Sequence, residues 1–334
     1  MIRALVCGCA GPALSVDERA FLRDAAPWGL ILFKRNVVDP AQLRALVDDF
    51  RSTVDRADAP VLIDQEGGRV QRLAPPHWPS YPAASRLAAT TAPQRAAWLT
   101  ARLIAADLAE VGITIDCAPV LDVASEGMSA AIGSRAFSAA AEEVAALGRA
   151  YADGLIAGGV APVVKHMPGH GRAQVDSHLE LPTVRASRAE LVARDFLPFI
   201  KLNDLPMAMT AHIVFTAIDP TAPATTSPKV VAEIMRGEIG FDGLIFSDDL
   251  SMKALSGSFA EKTRGVFAAG LDIVLHCNGD LTEARQVAEE TPALAGAALR
   301  RAAAALQCVA GGPAPFDLAA GRAELAALLA TASA

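Results

Sequence analysis

Apolar residues in this chain come in short runs, separated by longer stretches in which apolar and polar positions recur with a helical spacing. The runs are Ile2–Cys9, Gly29–Phe33, Val61–Ile63, Ile113–Val123, Ala161–Lys165, Met207–Ile213, Leu244–Ser247 and Asp272–Cys277. Their length and apolar character predict buried strands. The intervening stretches predict helices over Ser15–Ala25 (capped by Ser15), Pro40–Val54, Ala92–Val111, Ala139–Ala157, Arg188–Leu202, Lys229–Gly237 and Phe259–Ala269. Alanine-rich helical sequence fills the remainder. Strands alternating with helices imply a parallel sheet with right-handed crossovers. Eight such units are the number that closes a (β/α)8 barrel, and 334 residues suit one with insertions. A doubly wound open sheet competes, but it normally carries a glycine-rich phosphate loop after an early strand. No G-x-G-x-x-G or G-x-x-x-x-G-K-[ST] opens a helix here. The expected architecture is α/β, a single TIM-type barrel over residues 1–334 with an alanine-rich helical tail.

Composition narrows the function classes. Hydrophobic residues make up 52% of the chain, ample for a large core. The net charge is −7 and Lys and Arg are scattered, so no basic stripe favours nucleic acid. No apolar run approaches the roughly 20 residues of a membrane span. The start, MIRALVCGCAG, reads as a first strand rather than a secretory leader. Five widely spaced cysteines, odd in number, argue against a disulfide framework and for a reducing compartment, with the cytoplasm the expected location. A monomer acting on a small or neutral substrate fits this composition.

The polar residues fall into a pattern of their own. Asp64, Asp116 or Asp122, Lys165, His212, Asp248 and His276 each lie at or near the end of a different predicted strand. The carboxyl-end face is where barrel active sites form. The densest stretch is Val163–Pro182, VVKHMPGHGRAQVDSHLELP, which holds three of the six histidines. Pro168, Gly169 and Gly171 rule out a regular element there, and cations and imidazoles on such a loop suit a polar ligand. Three histidines invite a metal reading, but their spacing is not that of a helical zinc pair, and no metal or other cofactor is expected. Asp176-Ser-His178 reads instead as a carboxylate beside an imidazole, able to fix its tautomer for proton transfer. Asp64 with Arg69 and Arg72 offers acceptors and donors to hydroxyls, or alternatively an internal ion pair in a turn. Asp248 and Asp249 close the seventh strand, where alternation sends neighbours to opposite sides. One nucleophile and one structural partner is the expectation, with spacing silent on which is which. Asp116 and Asp122 either orient Lys165 or satisfy loop backbone donors.

Taken together, DQEGGRVQR, GSRAF, KHMPGHG–DSHLELP and FSDDLSM resemble glycoside hydrolase family 3, from about Ile2 to Asn278. More narrowly, they are similar to its single-domain bacterial β-N-acetylhexosaminidases of the cytoplasm. The resemblance implies a retaining, two-step mechanism through a covalent glycosyl-enzyme intermediate. Asp248 would be the nucleophile and His178, paired with Asp176, the acid/base on a mobile loop. Asp64, Arg72, Arg135, Lys165 and His166 would hold the sugar, with Lys165 and the arginines keeping Asp248 ionised. The implied substrate is a small saccharide or muropeptide bearing terminal N-acetylglucosamine, met during cell-wall recycling. Met167, where the family usually has an aromatic residue, and Arg172 depart from the pattern. Related β-glucosidases and β-xylosidases usually take an acid/base glutamate from a second domain, which is not visible here. A silent, sugar-binding barrel is the reading from another class.

Overall fold

The apolar runs become eight parallel strands that close on themselves: β1 (Arg3–Gly8), β2 (Pro27–Leu32), β3 (Val61–Ile63), β4 (Ile115–Asp116), β5 (Ala161–Met167), β6 (Met207–Thr210), β7 (Leu244–Asp249) and β8 (Ile273–His276). They were obtained in a computed structural model that describes residues 1–332. Each strand pairs with its sequence neighbours, and β8 returns to β1 through Leu5↔Val274, Val6↔Leu275 and Cys7↔His276.

Strand alternation splits the core in two. Val6, Ile31, Leu62, Val163, Met207, Phe246 and Leu275 fill the barrel interior. Leu5, Leu30, Val164, Ala208, Ile245 and Val274, their neighbours along the strands, pack outward with the helices. Burying each large apolar side chain contributes roughly 1.5–3 kcal/mol, which is what holds the strands in this register. The same parity continues past the apolar layer. Asp64 lies two residues beyond Leu62, Lys165 two beyond Val163, and Asp248 two beyond Phe246. The sequence therefore sets its charged groups on top of an apolar floor.

Outside the barrel, Ser15 caps Val16–Ala25, and Glu18 returns a bond to the Ser15 N–H at 2.7 Å. The alanine-rich helices Pro93–Glu110 and Ala141–Ala157 approach so closely that a methyl group on Gly154 would sit 2.4 Å from the Trp98 carbonyl oxygen. The helix Gly296–Gln307 places Ala302 and Ala305 against the interior core. Leu318–Leu329 returns to Pro93–Glu110 through the Arg95–Glu324 and Arg322–Asp107 pairs, at 2.7 and 3.2 Å. Among the described residues no helix is long and apolar enough to cross a membrane.

Three elements depart from expectation. The regular part of β4 is only Ile115–Asp116, because Pro119 has no N–H to continue a ladder. That segment stays beside β5 through Leu121 N–H to Lys165 O at 2.6 Å and Lys165 N–H to Pro119 O at 3.2 Å. The run after β6 leaves the barrel, and Val214–Phe215 pairs with Thr183–Val184, strapping the loops after β5 and β6 together. The helix behind β5 is broken into Arg188–Glu190, a wider turn over Leu191–Asp195, and Leu197–Lys201.

Candidate active site

Five charged side chains form one connected group at the ends of β3 and β5. Lys165, only 2% exposed, donates to Asp64 Oδ1 at 2.8 Å and lies 2.6 Å from Glu66 Oε1. Arg72 reaches Asp64 Oδ2 at 3.0 Å and stacks its guanidinium over Phe33. Arg135 grips Glu66 with two bonds, at 2.7 and 2.8 Å. Burial alone would raise both carboxyls, but the cations outweigh it. Glu66 is brought down to about 2 by Arg135 and Lys165, and Asp64 falls further under Lys165 and Arg72. Lys165 is held above its ordinary value by the two carboxylates, against its own desolvation. Three cations face two carboxylates here, so one positive charge remains uncancelled. Asp64, which lines the cavity, also keeps free lone pairs with which to accept from a hydroxyl.

A second group lies behind β5. Asp122, fully buried, accepts from His166 Nδ1 at 2.7 Å and from the His170 backbone N–H at 2.6 Å. Burial is outweighed by the two imidazoles and the backbone bonds, and its carboxyl is brought down to about 2. Of the two aspartates left open by the sequence, Asp122 therefore orients an imidazole. Asp116 serves the backbone, accepting from the Gln65 N–H at 2.9 Å, and burial pushes it well above the ordinary range.

At the end of β7 the two adjacent carboxylates both border the cavity but take different partners. Asp248 faces the cavity and accepts from the Asp249 N–H at 2.8 Å. Asp249 accepts from the N–H groups of Ser251 and Cys277, each at 3.0 Å, and ties β7 to the residue after β8. Burial would raise Asp248, but His212, then His166 and the Asp249 N–H, bring it below its ordinary value. This corrects the expectation that Lys165 and the arginines keep Asp248 ionised. Those cations are already engaged by Asp64 and Glu66, and imidazoles surround Asp248 instead. His212 is fully buried, held by Thr225 Oγ1 at 2.7 Å and the Asp249 carbonyl at 3.1 Å.

The loop after β5 carries its dyad at the cavity rim. Asp176 Oδ1 lies 2.8 Å from His178 Nδ1 and accepts from the His178 N–H at 2.9 Å. With Nδ1 so engaged, Nε2 is the ring atom left for a ligand. The three loop histidines do not converge: His166 pairs with Asp122, His170 with Ser177, and His178 with Asp176. Among the described residues no three His, Cys, Asp or Glu side chains are grouped to hold a metal ion. The two departures acquire definite places. Met167 is fully buried in the core, and Arg172 bonds the buried Asp195 at 2.7 Å.

One cavity of about 300 Å³ collects these groups, at the lower end of the roughly 300–1,000 Å³ typical of small-ligand sites. Asp64, Arg72, Arg135, Lys165, His166, Asp176, His178 and Asp248 all line it. Met209, Met252 and Leu275 supply apolar wall. Sequence reasoning placed Asp122 and His212 at strand ends without their roles, as the holder of His166 and the neighbour of Asp248, and it missed Glu66 as the shared partner of Arg135 and Lys165. Glu66 had a signal in its place inside the D-Q-E-G-G-R turn.

Set beside known proteins, residues 6–306 match the glycosyl hydrolase family 3 N-terminal domain. The chain belongs to that family. Within it, a protein of Methylococcus capsulatus named Beta-hexosaminidase is 45% identical over 277 residues, covering 80% of each chain. A Beta-hexosaminidase of Pseudomonas aeruginosa is 39% identical over 278 residues, covering 82% of each. The solved structure of NagZ from Neisseria gonorrhoeae, in complex with N-trifluoroacetyl-D-glucosamine, superposes with a TM-score of 0.86 at 33% identity, covering 99% of this chain and 98% of that one.

Proposed function

We propose that this protein is a retaining β-N-acetylhexosaminidase that releases terminal β-linked N-acetylglucosamine through a covalent glycosyl-enzyme intermediate. The hexosaminidase activity is that of its curated relatives. The observation that carries the mechanism is that Asp248 and the Asp176–His178 dyad open onto the same cavity, one near its floor and the other at its rim. A cavity of about 300 Å³ suits one sugar ring, and so cleavage at a chain end.

In the first step the Asp248 carboxylate attacks the anomeric carbon while His178 Nε2–H gives its proton to the departing glycosidic oxygen. Asp176, on Nδ1, fixes the tautomer and stabilises the imidazolium. In the second step neutral His178 takes a proton from water, whose oxygen attacks the anomeric carbon and frees Asp248. Asp64, Arg72, Arg135, Lys165 and His166 hold the ring hydroxyls. Met209, Met252 and Leu275 offer apolar contact to an acetamido methyl group. Muropeptide fragments in the cytoplasm are the natural substrates we infer, with one barrel of the full chain as the catalytic unit.

Trapping with a slow 2-fluoro or 5-fluoro glycosyl donor, followed by peptide mapping, tests the nucleophile. A label on Asp248 is expected; one on Asp249, or none on an active enzyme, refutes the assignment. Preference for p-nitrophenyl β-glucoside over the β-N-acetylglucosaminide would overturn the specificity.

A further inference from the structure

The loop that carries Asp176 and His178 is secured at both ends and almost free between them. Upstream, the backbone N–H groups of His166 and His170 bond Asp122 Oδ1 at 3.3 and 2.6 Å, and Arg172 bonds Asp195. Downstream, Thr183–Val184 pairs with Val214–Phe215. Between Gln174 and Leu181 only Ser177 is buried, at 4% exposure, although its neighbour His178 is exposed. Two contacts hold it there. Its carbonyl accepts from the Ala254 N–H at 3.2 Å, and its hydroxyl lies 3.3 Å from His170 Nε2.

His170 is built for that contact and for little else. It is 2% exposed, its Nδ1 has no partner among the described residues, and its ring meets His166 edge-on with centroids 5.5 Å apart. Burial lowers its ring to about 4, so it stays neutral near pH 7 and shares one uncharged hydrogen bond with the serine. A buried polar side chain with one partner loses that partner at full desolvation cost, which favours the docked position of Ser177 over an undocked one.

We propose that His170 is a positioning residue, whose hydrogen bond to Ser177 sets where the Asp176–His178 dyad stands over the cavity. Asp122 bonds both His166 and His170, so the ring-holding imidazole and the loop anchor share one carboxylate. The inference rests on His178 serving as the acid/base of the reaction proposed above.

The test compares Ser177→Ala, Ser177→Thr, His170→Ala and the Ser177→Ala/His170→Ala double variant in the full chain. Each is assayed on methyl and on 2,4-dinitrophenyl β-N-acetylglucosaminide, whose leaving groups need and do not need a proton. Ser177→Ala is expected to lower kcat/KM on the methyl glycoside about five- to tenfold, the factor that corresponds to one net hydrogen bond. It should scarcely change the dinitrophenyl rate, and Ser177→Thr should restore the loss. The double variant should fall no further than the lower of the two single variants, because both remove the same contact. Equal slowing on both substrates, or additive losses, would overturn the proposal. Ser177→Ala is small enough to read even where His170→Ala folds poorly. His178→Ala run in parallel separates the two readings. If it too shows no leaving-group dependence, the acid/base assignment fails; if it does and Ser177→Ala does not, only the positioning role fails.

Discussion

Replacing Glu66 with Gln probes the charged group that unites β3 and β5. The carboxylate is 7% exposed and takes three contacts, two from Arg135 and one from Lys165, between 2.6 and 2.8 Å. A glutamine oxygen accepts from one cation, but its NH2 turns a donor toward another donor and leaves Asp64 as the only anion beside Lys165. Removing one member of a buried pair costs roughly 3–5 kcal/mol, and the retained acceptor puts this change near the low end. A second route gives a similar size. Glu66 is moved from its ordinary 4.5 down to about 2, which corresponds to ~3 kcal/mol at 1.36 kcal/mol per pH unit. The sign follows because the folded-state value is depressed. The stabilisation is fully present above about pH 4.5 and is lost as pH falls toward 2. Urea unfolding of the two proteins between pH 7 and pH 3.5 measures it. With a slope of about 3 kcal/mol/M or more for a chain this large, the midpoint should fall by up to about 1 M at pH 7. The gap should stay constant down to about pH 5 and narrow below 4.5. A gap under about 1 kcal/mol at pH 7, or one that widens toward acid, would refute the reasoning.

The dyad is exposed, with His178 at 64% and Asp176 at 34%, and this sets unequal expectations for its members. His178→Ala should slow cleavage of poor leaving groups at least a hundredfold, the range of a general acid. Asp176→Asn should cost no more than about tenfold, since exposed pairs contribute little; steady-state kinetics on methyl and dinitrophenyl glycosides checks both. Arg172→Ala removes the main cation beside Asp195, which is 1% exposed, and should cost about 2 kcal/mol in a urea titration while speeding hydrogen exchange over residues 166–182. Gly171→Ala would place a methyl group 1.9 Å from the Val123 carbonyl oxygen, so the loop must shift. The expected result is a folded barrel by circular dichroism with activity down tenfold or more. His212→Phe removes an imidazole that helps hold Asp248 low, and should move the acid limb of kcat/KM to higher pH.

The barrel was legible because its signal is repetitive: eight apolar runs, each followed by a helical stretch, leave few topologies. The strand-end residues were legible for a related reason. Lys165 and Asp248 continue the parity of Val163 and Phe246, so their direction follows from the residues before them. What the sequence withheld was pairing across long separations. Nothing local in Glu66 says that Arg135, 69 positions away, will grip it. Nothing in APVLDV says that Asp122 rather than Asp116 will meet His166. Nor could spacing reveal that the cations expected beside Asp248 would be claimed by Asp64 and Glu66. Charge neutralisation is settled by the nearest buried partner, and proximity across strands is a property of the closed barrel. β4 is shorter than its apolar run because that run continues through Pro119, where the regular ladder cannot.

The Asp64–Glu66–Lys165–Arg72–Arg135 group has a practical consequence for inhibitor design. Its side chains are held by one another before any ligand arrives, so a ring analogue meets a surface already committed to one arrangement. Chemical elaboration of the ring will therefore meet a steep and narrow tolerance. The rim beyond His178 is different in kind. Leu179 is 66% exposed and Leu181 39%, two apolar side chains facing solvent. Substituents grown from the leaving-group side toward those leucines would gain apolar contact without disturbing the charged group.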